Sequence, residues 1–242
     1  MWGNAVALFP IFLKLGGKRC VVIGAGNIAE SKIESLVKAG ARVTVIAPEA
    51  LPRVQQWSAG GDLQWQQRVY QRGDVAGAFL CIAATATAAV NRAVFVEAEA
   101  AGVLCNAVDD PPFCDFYFPS VVERGDLQIA ISTAGESPAL AQRLRKEINA
   151  QLPVDIGEWV MELGRLRREV CAVEPIGEPR KLLLHELAQR EVCGYGECPS
   201  RIRAQSHMRE QGYLPATAPT QSREMAHAGS FPPVSLSDKV KP

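Results

Sequence analysis

The chain has 242 residues, 48% of them hydrophobic, enough for one large domain or two modest ones with a real core. Its 26 basic and 26 acidic residues balance, which removes any global attraction to nucleic acid or an anionic membrane, and no stretch approaches the length of a membrane span. The seven cysteines are scattered and odd in number, as in a protein kept in a reducing cytoplasm rather than one built on disulfides.

The chain opens on an apolar stretch, Leu8-Phe9-Pro10-Ile11-Phe12, that lacks the basic flank and small-residue cleavage site of a signal peptide. It is expected as a buried lead-in. Cys20–Ile23 then reads as a strand running into Gly24-Ala25-Gly26-Asn27-Ile28-Ala29, a G-x-G-x-x-A turn. A helix follows through Ala39, Gly40 stops it, and Ala41–Ile46 reads as a second strand. This β-turn-α-β order is that of a dinucleotide site. Gly24 permits the tight turn, Gly26 lets the backbone approach a pyrophosphate, and Ala29 keeps the helix close to the strand. The helix N-terminus offers free N–H groups to the anion. The competing reading is a structural glycine turn that binds nothing.

Leu63–Gln67 alternates as a third strand, and Ala78–Ala84 is the continuous apolar run of a central parallel strand. Ala89–Ala101 carries a helical period that Gly102 ends, and Val103–Val108 forms the next strand. Phe116–Arg124 and Leu127–Ser132 read as two strands joined at Gly125-Asp126. Ser137 suits an N-cap and Pro138 the first position of a helix through about Gln151. Ile156–Arg190 is helical in character, broken near Pro175–Pro179. From about Cys193 the composition turns to Ser, Pro, Gln, Ala and Gly, as in a disordered tail. The fold class is therefore α/β: a Rossmann-type parallel sheet over 1–113, a small α+β region over 114–150, a helical region over 151–192 and a tail over 193–242.

Ligands of an open parallel sheet sit beyond the carboxyl ends of its strands. The Gly24 turn is one such end. Ala84 and Thr85 mark a second, with small residues that allow close approach of a cofactor. Asn106-Ala107-Val108-Asp109 marks a third. Asp109 there suits acid/base work beside a nicotinamide, although spacing alone favours a turn-forming role before Asp110-Pro111-Pro112. The acid that commonly binds the ribose, about 20 residues past the glycines, is replaced by Ala47. Glu49 follows two residues late, as a ribose contact or as a solvated first-turn acid. No arginine directly follows the strand to take a 2′-phosphate, and Arg53 lies one turn further on. Local chemistry thus leaves NAD and NADP open. Cys193 and Cys198 have no cysteine or histidine pair to complete a knuckle, and the histidines (His185, His207, His227) lie in the C-terminal third. No metal site is expected.

Several stretches, taken in order, resemble one family. They are Phe9–Phe12, Val22–Ala29, Ala39–Val45, Ile82–Thr85, Cys105–Asp110, Phe118–Val122 and Ile129–Ala141. Over residues 8 to 150 the chain is similar to the precorrin-2 dehydrogenase and sirohydrochlorin ferrochelatase family, the N-terminal module of siroheme synthases. The resemblance implies NAD-dependent oxidation of precorrin-2 to sirohydrochlorin, with Fe2+ insertion as a second activity in bifunctional members. It implies Asp109 as the catalytic acid/base and cofactor contacts at Asn27, Ile28, Pro48 and Glu49, beside Gly24, Gly26, Ala84, Thr85 and Asn106. It also implies a cytoplasmic homodimer joined through the Phe116–Ser132 region and the helix after it.

The tetrapyrrole substrate of that family is ringed with carboxylates. Ser132, Thr133, Gly135 and Ser137 belong to a small-residue loop that feeds a helix N-terminus, an anion-friendly arrangement. Arg124, Arg143, Arg145 and Lys146 add charge, though each also reads as part of a solvated face. The family's loop carries two adjacent glycines where this chain has Ala134-Gly135. Residues 150–192 match the family's helical domain little in detail, and no methyltransferase domain follows, so the long trifunctional form is not expected. Two other readings stand beside this one. The first is a dehydrogenase that hands its product to a separate chelatase. The second is an NAD-sensing domain without turnover, which would need the glycine turn but neither Asp109 nor the anion-binding loop.

Overall fold

The structure, a computed structural model, describes residues 8–188. The expected tail, the Cys193/Cys198 pair, His207 and His227 lie outside the described residues. The chain divides into two compact units: one runs to Val122 and includes Ile129–Leu152, and the other comprises Glu123–Gln128 and the chain from Pro153.

The first unit is a Rossmann-type sheet. Its elements are β1 (Arg19–Ile23), α1 (Asn27–Lys38), β2 (Arg42–Ile46), α2 (Pro52–Gly60), β3 (Leu63–Gln66), β4 (Leu80–Ala83), α3 (Ala88–Ala100) and β5 (Leu104–Ala107). The strands are parallel in the order β3-β2-β1-β4-β5. Side chains alternate across the pleat. Cys20 and Val22 therefore join Ile33, Leu36, Val45 and Val54 on the face covered by α1 and α2. Val21 and Ile23 join Cys81, Val94, Ala98 and Cys105 on the face covered by α3. With both faces covered, the central strands β1 and β4 are buried and apolar over Cys20–Ile23 and Leu80–Ala83, as a parallel sheet requires, while edge strand β3 alternates.

The order reverses between β1 and β4. The chain leaves edge strand β3 and crosses back over residues 67–79. Arg19 holds this crossover by donating to the Ala76 and Asp74 carbonyls at 2.6 and 3.0 Å. Arg68 clamps both Asp74 carboxylate oxygens, at 2.8 and 2.6 Å. Glu97 of α3 accepts from Tyr70 and from the Gly73 and Val75 amides.

Two expectations fail. Leu8–Phe12 is no buried lead-in: Phe9 is 84% and Phe12 68% exposed. The helices already cover the sheet, and from this segment's continuation only Leu15 packs against the core. The strand expected from Phe116 begins at Ser120 instead (β6, Ser120–Arg124), paired with β7 (Leu127–Ile131). Residues 114–116 are claimed by β5: Asn106 bridges Cys114, and the Asp115 carboxylate and amide bond the Cys105 amide and carbonyl, both at 2.8 Å.

The helix α4 (Pro138–Gln151) starts as expected, with the Ser137 hydroxyl accepting from the Leu140 amide at 3.3 Å and Pro138 in its first turn. In the second unit α5 (Ile156–Val173) and α6 (Glu178–Leu187) are separated by Glu174–Gly177, with Pro179 in the first turn of α6, and pack Leu166 and Val170 against Leu187. The Gly125 turn lies on α5 at Gly157, where an added Cβ would fall 2.9 Å from the Arg124 carbonyl oxygen.

Candidate functional site

The reversal of strand order opens a crevice at the carboxyl ends of β1 and β4, the place where doubly wound sheets bind ligands. Gly24, at φ 105°, turns the chain out of β1. A Cβ built on it would lie 2.4 Å from the Ala84 carbonyl oxygen, so glycine is obligatory there. Its amide bonds Ile46 at 2.9 Å, and Leu51 donates to the Ala25 carbonyl at 3.2 Å, tying the turn to the end of β2. Gly26 caps α1 with no side-chain partner, and a Cβ there would meet nothing within 4 Å. Gly26, Asn27 and Ile28 are exposed. The first-turn amides of α1 thus face open space, and the glycines keep that space clear for a phosphate. These features fit a dinucleotide.

The second strand end is fixed from α3. Buried Asn91 accepts from the Thr85 amide at 3.0 Å and hydroxyl at 2.7 Å, and donates to the Thr85 carbonyl at 3.1 Å. Asn91 escaped the sequence reading because a lone asparagine in a helical run resembles any solvated residue. At the carboxyl end of β2, Trp65 donates to the Ala47 carbonyl at 3.0 Å, while Pro48 and Glu49 are exposed. Arg53 bonds Glu34 at 2.8 Å and stacks on Trp57.

Asp109 and Asp110 follow β5, and the structure separates them. Asp110 is held by Arg92 at 2.6 Å. Asp109 is exposed in a left-handed conformation, φ 61°, and among the described residues no hydrogen bond or direct ion pair engages its carboxylate. Its turn is braced on both sides. The Asp110 amide bonds Ala107 at 3.1 Å, and the Cys114 thiol donates to the Ala107 carbonyl at 3.1 Å. Asn106, 5% exposed, spends its amide on the Phe116 carbonyl at 2.7 Å. That bond fixes the segment bearing Phe116 and Phe118, whose rings meet edge to face. Lys32 of α1 sits over the Phe118 ring, 3.8 Å from its centre. Burial pulls the Lys32 ammonium below its ordinary pKa, and the charge of Asp109 opposes that shift. An ammonium, a carboxylate and an aromatic face therefore share one wall. Lys32 was also missed from sequence, as one of several charges on an amphipathic helix.

The structure does not join the remaining predicted residues to this cluster. The Ser132–Ser137 loop satisfies itself: Ser132 Oγ accepts from the Ala134 amide and Thr133 Oγ1 from the Ser137 amide, both at 3.1 Å. Ala134 and Gly135 take φ 52° and 88°. Arg124 belongs to the second unit, where it lines a cavity of about 280 Å3 with Val154, Gly157 and Met161. Among the described residues no group of histidine, cysteine, aspartate and glutamate forms a metal cluster, and no helix is long and apolar enough to cross a membrane.

Residues 11–120 match the family model described as "Putative NAD(P)-binding", and residues 124–151 match that of the sirohaem biosynthesis protein central domain. The curated proteins that the chain resembles are siroheme synthases. Siroheme synthase 1 of Serratia proteamaculans is 38% identical over 71% of this chain and 36% of its own length. Siroheme synthase 1 of Cronobacter sakazakii is 40% identical over 65% of this chain and 34% of its own. The chain thus spans about a third of the length of the siroheme synthases it matches. A solved structure of SirC, precorrin-2 dehydrogenase, superposes with a TM-score of 0.70 over 84% of this chain and 100% of that one, at 22% identity, and shares the fold.

Proposed function

We propose that this chain oxidises precorrin-2 to sirohydrochlorin with NAD, as a cytoplasmic homodimer in siroheme biosynthesis. The observation that carries the reading is the division of labour between Asp109 and Asp110: Arg92 occupies the second and leaves the first exposed at the mouth of the nucleotide crevice. When bound, NAD supplies the acceptor for the hydride that leaves the macrocycle. Gly24, Gly26, Asn27, Ile28, Ala84 and Thr85 hold the dinucleotide, with Pro48 and Glu49 at its ribose and Asn106 bracing the wall. Asp109 takes the proton that leaves with the hydride. NAD is favoured over NADP because Arg53 is already committed to Glu34.

The same carboxylate suits Fe2+ insertion, where protons must leave the pyrrole nitrogens before the metal enters. Ser132, Thr133, Gly135 and Ser137 receive the peripheral carboxylates. Residues 114–150 join the subunits: β6 and β7 form a two-stranded sheet, marginal by itself, with Val121 40% exposed.

Purified protein given precorrin-2 and NAD will form NADH and sirohydrochlorin in equal amounts. Nucleotide binding without turnover would replace this reading with an NAD-sensing domain. Fe2+ added with sirohydrochlorin, followed for insertion above the uncatalysed rate, separates a bifunctional enzyme from a dehydrogenase alone.

A further inference from the structure

The Lys32 ammonium is unusual among the chain's cations. It is half-buried on the second turn of α1, lies 3.8 Å above the Phe118 ring, and has no hydrogen-bond acceptor among the described residues. The cations on the elements around the crevice are mostly spent. Arg19, Arg68 and Arg92 hold backbone carbonyls or aspartates, and Arg53 and Lys38 hold Glu34. Lys32 feels the charge of Asp109 without a direct ion pair. Phe118 covers part of its charge but accepts none of its N–H bonds. The three donors of an ammonium therefore remain available beside the exposed carboxylate of the site.

The geometry points to Lys32 as a substrate-positioning residue, its ammonium binding a peripheral carboxylate of the anionic substrate so that the macrocycle rests beside Asp109. This rests on the function proposed above. The arrangement has a clear logic. An exposed lysine would swing freely and be screened. The ring of Phe118, itself anchored through Asn106 and Phe116, instead confines Lys32 to one side of the crevice. Partial burial removes water that would compete for it, and a substrate carboxylate restores the acceptors that burial took away.

The test compares wild type, Lys32→Met and Lys32→Arg. The methionine keeps the stem and removes the charge, and thermal melts establish that each variant is folded. Lys32→Met will raise KM for precorrin-2 about tenfold or more, the usual weight of a charge-assisted bond, and the loss falls on KM rather than kcat. Lys32→Arg will recover most of the affinity, and affinity for NAD will match wild type in both. Equilibrium dialysis with sirohydrochlorin reads the same contact without turnover. If wild type neither oxidises precorrin-2 nor binds the product, the proposed function fails. If wild type does both and Lys32→Met binds and turns over equally well, the role of Lys32 fails alone. A fall in kcat with a displaced acid limb of the pH profile and unchanged KM would also overturn it, moving Lys32 from the substrate to Asp109.

Discussion

Gly24 lies so close to Ala84 that a methyl group on its Cα would sit 2.4 Å from the Ala84 carbonyl oxygen. Two turns at the ends of adjacent strands are thereby held in contact through backbone alone. Gly24→Ala must push β1 and β4 apart at the crevice, and must also hold φ near 105° with a side chain. A loss of about 2–4 kcal/mol is expected, together with loss of NAD affinity. Urea unfolding and nucleotide titration of the variant measure both. Wild-type stability would show that the two turns can separate freely.

Asp109 occupies the left-handed region at φ 61°, which asparagine tolerates well and alanine poorly. Asp109→Asn will therefore keep the fold and NAD affinity while turnover falls by at least about a hundredfold. Asp109→Ala will lose turnover too, but with added instability. Comparing melts and rates of the two variants separates the carboxylate from the turn. Full activity in Asp109→Asn would remove this residue from the chemistry.

Ala134 carries φ 52° in the loop before α4. Glycine relieves the strain of a Cβ there, so Ala134→Gly will stabilise the protein by up to about 1 kcal/mol, less whatever the freer unfolded chain recovers. Denaturant midpoints of the two proteins provide the measurement. An unchanged or lower midpoint would mean that the loop does not feel this strain.

Asp74 has its pKa lowered, first by the hydrogen bond from Arg68, and burial opposes this only in part. A carboxylate depressed in the folded state lends stability above its ordinary value and loses it as pH falls through the lowered one. Acid destabilisation from this source will set in near about pH 4 and deepen below it. In Asp74→Asn that component of the acid limb will vanish. Melting temperatures from pH 6 to pH 2 for both proteins decide the point.

Much of the nucleotide crevice was legible because it is written in backbone requirements. A glycine forced by a close approach, small residues at Ala84 and Thr85, and a Ser137 cap all leave marks in sequence. The expected strands and the α/β class follow from runs apolar on both faces. Asn91 and Lys32 were illegible for a physical reason: each lies on a helix among several other polar residues, and only packing distinguishes a buried donor from a solvated one. Leu8–Phe12 misled in the opposite sense. Its hydrophobicity predicts burial, yet helices already cover both faces of the sheet. Phe116 misled because β5 claims residues 114–116 through Asp115 and Asn106 before they can pair with β7.

The order β3-β2-β1-β4-β5 also has a temporal consequence. A single helix separates β1 from β2 in the chain, whereas β2, β3 and the crossover all lie between β1 and its other neighbour, β4. Until β4 docks, the Ala84 carbonyl is absent from Gly24 and the crevice has one wall. NAD cannot recruit such a half-built sheet; it can only latch a completed one. Refolding rates will be indifferent to NAD, while the unfolding rate falls as NAD is added. The cofactor then acts as a brake on departure from the native state rather than a guide toward it.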